Sequence, residues 1–76
     1  MATQWWVRPR LDGGCDYVRL RPTQEGTEEP FEWIEGSHLP PQLPLLKRRC
    51  WVTADTAEHR RDDLMAHGYQ LAEPVF

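Results

Sequence analysis

The chain has 76 residues, a formal net charge of −3, and 28% charged against 39% hydrophobic residues. That is one domain's worth of chain, apolar enough to exclude disorder as the default and too acidic overall for a general polyanion binder. A domain of this size buries roughly 60–65% of its unfolded surface and folds with a margin of about 3–5 kcal/mol. Little of that is left for a deep catalytic cleft and the strain it stores.

Four tryptophans are many for this length, and rings that size are expected in part at an interface. Eight of the nine basic residues are arginine, Lys47 being the one lysine. Arginine makes planar, stacked and bidentate contacts that lysine does not, although a skewed base composition gives the same bias. Residues 1–10 hold no apolar leader segment, and no run approaches the roughly 18 apolar residues of a membrane span. A cytoplasmic protein with Cys15 and Cys50 as reduced thiols is the expectation.

In chain order, residues 4–21 read as a β-hairpin turning at Asp12-Gly13-Gly14, where glycine supplies a positive φ. With Asp12-Gly13 as the turn, Trp6 opposes Arg19 and Arg8 opposes Tyr17. With Gly13-Gly14 as the turn, Arg8 opposes Arg19 and Arg10 opposes Tyr17. The first avoids opposed like charges and is preferred. Both give one core face (Trp5, Val7, Pro9, Val18, Leu20) and one outer face (Trp6, Arg8, Arg10, Tyr17, Arg19, Arg21). A three-residue loop would break this parity. Pro9 has no N–H, which places its strand at an edge.

An acidic loop and short strand fill 22–36, with Phe31 and Trp33 turned inward and five glutamates but no base between Gln24 and Gly36. Residues 37–47 read as a proline-rich connector, because helices and central strands do not tolerate such a density of proline. Extended, it lays Leu39, Leu43, Leu45 and Leu46 over an apolar surface. Residues 48–73 read as strand, helix, strand. Cys50 to Thr53 form the strand. Asp55 and Glu58 start the helix as a box-like cap, Ala57, Leu64 and Met65 make its apolar stripe, and Gly68 ends it. Strands with one late helix imply a small two-layer α+β domain, with the end a possible right-handed crossover.

Two features suggest a binding surface. The first is the face of Trp6, Arg8, Arg10, Tyr17, Arg19 and Arg21, which suits an acidic protein or single-stranded nucleic acid; the acidic remainder of the chain favours protein. The second is the acidic-aromatic segment around Glu32, Trp33 and Glu35, which suits a basic groove; as a plain edge strand its outward glutamates would discourage aggregation. Pro41-Gln42-Leu43-Pro44 matches P-x-x-P loosely, as many proline-rich loops do. Cys15, Cys50, His38, His59 and His67 have no metal-ligand spacing, Asp62 and Asp63 diverge on their helix, and no nucleophile or phosphate-loop pattern occurs. The expectation is a non-enzymatic module without cofactor that docks on a larger protein and modulates or inhibits it. Single-stranded nucleic acid is the second reading, and a small thiol- or metal-dependent enzyme at Cys50 the third. A homodimer through an edge strand is compatible with either of the first two.

Overall fold

The turn of the first hairpin decides which residues share a face. In the computed structural model, which describes residues 2–23 and 30–74, Arg10 N–H donates to Gly14 O at 2.8 Å and Gly13 N–H to Arg10 O at 3.3 Å. The loop is therefore the three residues Leu11, Asp12 and Gly13. Gly13 sits at φ 89°, the left-handed position that three-residue hairpin loops need, and Asp12 Oδ1 accepts from Gly14 N–H at 2.9 Å. Strand β1 (Gln4–Pro9) then pairs with β2 (Cys15–Pro22) as Trp5↔Arg19, Trp6↔Val18 and Arg8↔Asp16. Both two-residue turns expected above are thus replaced, and the parity changes with them. Trp6 joins Val18 and Leu20, while Trp5 joins Tyr17 and Arg19.

Strand β3 (Phe31–His38), β4 (Leu45–Val52), helix α1 (Ala54–Ala66) and β5 (Gln70–Ala72) complete the fold. The five strands form one sheet in the order β4-β3-β2-β1-β5, each neighbouring pair antiparallel. Helix α1 carries the chain from one edge to the other, giving a small α+β domain with its helix on one side of the sheet. The described helix is too short to cross a membrane.

Under α1, Trp6, Val18, Leu20, Trp33, Val52 and Ala57 form the main core, flanked by Phe31, Cys50, Leu64 and Tyr69. Met65 is exposed, so Ala57 and Leu64 alone of the expected stripe turn to the sheet. The helix is capped two residues earlier than Asp55 suggests. Thr53 is the cap, its hydroxyl accepting from Thr56 N–H at 3.1 Å, and Asp55 lies in the first turn, where its charge favours the helix dipole. His67 caps the other end and Gly68 follows at φ 87°.

Three placements differ from the sequence reading. β1 is not an edge strand; β5 pairs only with Trp5–Val7, so Pro9 lies beyond that ladder and its missing N–H costs nothing there. β3 is not an edge strand either, being held between β2 and β4. The connector is shorter, because β3 runs to His38 and β4 begins at Leu45. It turns back at Leu39–Gln42, with Gln42 N–H donating to Leu39 O at 2.9 Å, and leaves Leu43, Leu45 and Leu46 exposed rather than packed. Most of the acidic loop, residues 24–29, lies outside the described residues.

Candidate functional site

The helix covers one sheet face only, and the other carries a second, smaller cluster of Trp5, Tyr17 and Ile34 with Val7 against it. Strand alternation and register set its rows. One row runs Trp5, Arg19, Ile34, Arg49 across β1 to β4, and the next runs Arg21, Glu32, Trp51. In the first, the Arg19 guanidinium lies 5.8 Å from the centre of the Trp5 ring, and Trp5 and Tyr17 meet at 5.9 Å with a 38° tilt.

Glu32 sits at the middle of this face with its side chain 5% exposed. Arg19 Nη2 lies 3.3 Å and Arg21 Nη2 3.0 Å from its Oε1, and Arg49 Nε 3.4 Å from its Oε2. A buried carboxylate needs such partners to remain charged. Three guanidiniums nonetheless surround one carboxylate, so the cluster keeps a net positive charge. Arg21 and Arg49 are half-exposed, and the buried Nε of Arg19 has no hydrogen-bond partner.

Beside the cluster, β4 forms one edge of the sheet and exposes nearly its whole length. Leu45, Leu46 and Trp51 are 59%, 51% and 49% exposed, and Lys47, Arg48 and Arg49 lie between them. A bulge opposite Glu35/Gly36 leaves Lys47 without a β3 partner in the register. The strand approaches closely there. A Cβ at Gly36 would collide with Leu45 O and the Tyr17 hydroxyl, and that hydroxyl donates to Leu45 O at 3.4 Å.

The nine residues singled out in the sequence do not form one surface. Tyr17, Arg19, Arg21 and Glu32 share the open face. Trp6 and Trp33 lie in the core beneath α1. Trp33 Nε1 donates to Glu35 Oε1 at 2.8 Å, which holds Glu35 on the helix side. Arg8 is a strut. It donates to Asp16 Oδ2 at 2.8 Å and to His67 O at 3.2 Å, and it lies over the Tyr69 ring at 4.7 Å. Its charge favours the carbonyl end of α1. Arg10 closes the hairpin on Asp12 at 3.0 Å. Trp51, Lys47, Arg48 and Arg49 belong to the exposed surface and were not among the nine. Their signal was a basic run leading directly into a strand that ends in Trp51 and Val52.

Near the far end of α1, Arg8, Asp16, Glu35, Lys47 and Tyr69 line a polar groove of about 210 Å³. Burial pushes the Tyr69 and Tyr17 phenols up, against the pull of Arg8 and Arg19 respectively. Burial and then Asp16 push the Cys15 thiol up, against the pull of Arg10. Among the described residues no group of three His, Cys, Asp or Glu side chains is placed to hold a metal ion.

No protein-family model, no curated protein and no solved structure matches this chain.

Proposed function

We propose that this protein is a non-enzymatic binding module that docks on a larger protein through β4 and the adjoining open face, and so modulates or inhibits it. The observation that carries the reading is the exposure pattern of β4. A domain with so small a stability margin leaves Leu45, Leu46 and Trp51 in water on one strand, interleaved with Lys47, Arg48 and Arg49. Apolar and aromatic side chains supply contact area in an interface, and the cations around them supply steering and register. The chain carries −3 overall, so the positive charge of this edge and of the Arg19–Arg21–Arg49 cluster is local and favours an acidic partner.

Single-stranded nucleic acid is disfavoured by the same geometry. Stacking requires open rings, but on the open face Trp5 is 7% and Tyr17 4% exposed, which leaves Trp51. The two free cysteines suit a reducing, cytoplasmic setting.

Affinity capture from host lysate, with and without nuclease, tests the reading when the wild type is compared with Arg48→Glu/Trp51→Ala. One stoichiometric protein that survives nuclease and is lost with the variant is the expected result. Capture of the same protein by both forms removes β4 as the interface, and recovery of nucleic acid alone reverses the choice of partner.

A further inference from the structure

The sheet has two edges, and they differ in kind. β5 is three residues long and pairs along its whole length with β1; an edge that short offers little to a passing strand. β4 is eight residues long, and among the described residues no strand pairs with its outer side. Half the backbone N–H and C=O groups of an edge strand point away from the sheet, so β4 presents a ladder that no other strand of the described residues completes.

Charge decides what can complete it. A second copy pairing antiparallel about the centre of β4 would set Arg48 against its own counterpart, or Arg49 against its own, across the two-fold, and opposed like charges are unfavourable. Basic residues on an edge guard it against self-pairing in this way. The same residues favour a strand carrying carboxylates. Arg48 pairs with Glu35 on the helix side of the sheet, and Arg49 pairs with Ile34 on the open side, so an incoming strand meets a cation on either face. Trp51, two residues beyond Arg49 on the open side, offers that strand an apolar contact.

We infer that β4 binds its partner by strand addition. The occupant is an extended acidic segment of another protein, hydrogen-bonded to the outer backbone of β4, with carboxylates at Arg48 and Arg49 and an apolar side chain on Trp51. This rests on the docking reading above and specifies its mode.

The test uses the full chain and a capped peptide of valine and threonine, the length of β4 and with two adjacent glutamates at its centre, followed by amide hydrogen exchange. Adjacent residues of a strand point to opposite faces, so the two glutamates meet Arg48 and Arg49 together. Exchange slows at β4 amides and stays unchanged at Gln70–Ala72. Binding weakens by about tenfold or more with lysine in place of glutamate, since two exposed ion pairs become repulsive. It weakens similarly when alternate amides of the peptide are N-methylated, which removes the ladder and keeps the charge. Arg48→Glu weakens it as well, with an unchanged circular dichroism spectrum as the check on folding.

Equal binding of the N-methylated peptide without protection of β4 overturns strand addition and leaves side-chain docking standing. Protection of β4 that rises with protein concentration alone overturns the acidic occupant in favour of a second copy. No binding of any peptide also overturns strand addition. The docking reading falls with it only if lysate capture is unaffected by Arg48→Glu/Trp51→Ala.

Discussion

Trp33 and Trp51 lie on neighbouring strands and on opposite faces of the sheet, since Trp33 pairs with Cys50 and Trp51 with Glu32. The first is 1% exposed and the second 49%. Their surroundings differ in the same sense. On the helix side, arginines brace the packing: Arg60 lies over Trp33 at 5.3 Å and donates to Cys50 Sγ at 3.4 Å, and Arg61 donates to Gln4 Oε1 at 3.4 Å. On the open side, Arg19, Arg21 and Arg49 crowd one buried carboxylate and exceed it in charge. One residue type braces the packing on one face and stays partly in solvent on the other, because among the described residues only one face has a helix to pack against.

The largest effect expected from this contrast is on folding. Trp33→Ala removes a fully buried ring and costs about 3–5 kcal/mol, close to the whole margin of a domain this small; thermal denaturation should find it largely unfolded. Trp51→Ala should stay within about 0.5 kcal/mol of the wild type, as surface substitutions do. Equal losses at the two positions would erase the distinction between the faces.

Next in size is Glu32→Gln. It leaves three guanidiniums facing one another around a neutral amide. Breaking a buried pair costs about 3–5 kcal/mol, but these arginines are partly solvated, which brings the expectation to about 1–3 kcal/mol. Urea denaturation gives the value, and added salt should recover part of it by screening the arginines.

Thr53→Ala should cost about 1 kcal/mol through loss of the cap, with Asp55→Ala costing less. The reverse order would restore the cap to Asp55.

The smallest effect is alkaline. The Tyr17 and Tyr69 phenols are both raised by burial, so the folded state favours their neutral forms. That stabilisation is complete below the ordinary phenol value near 10 and is lost as pH rises through the raised folded values. Unfolding midpoints should fall above about pH 10, and Tyr69→Phe should flatten the fall.

The element order and the α+β class were legible from glycine and proline placement and from the strand-forming runs. The membership of the faces was not. One extra residue in the loop at Leu11–Gly13 moved Trp6 into the core and brought Trp5 beside Arg19, and Asp-Gly-Gly is compatible with two- and three-residue loops alike. Glu32 and Trp33 were read as one edge segment because nothing in a short acidic strand announces that β4 will pair beyond it. The connector misled for a related reason. Its prolines mark a break in regular structure correctly, but the fate of Leu43, Leu45 and Leu46 depends on what lies opposite, which is a tertiary fact. On the open face the exposed cations and the exposed ring are Arg21, Arg49 and Trp51, the last two on β4 rather than on the hairpin where Arg8 and Trp6 had been expected.

The most direct test of a sheet with one face for folding and one side for docking is a paired measurement on Arg48→Glu/Trp51→Ala: the thermal midpoint, and capture of the partner from lysate. If β4 is a docking surface, the midpoint stays within a few degrees of the wild type, as about 0.5 kcal/mol implies for a domain this size, and capture is lost. An unchanged midpoint with undiminished capture, or a collapse of stability like that of Trp33→Ala, would contradict it.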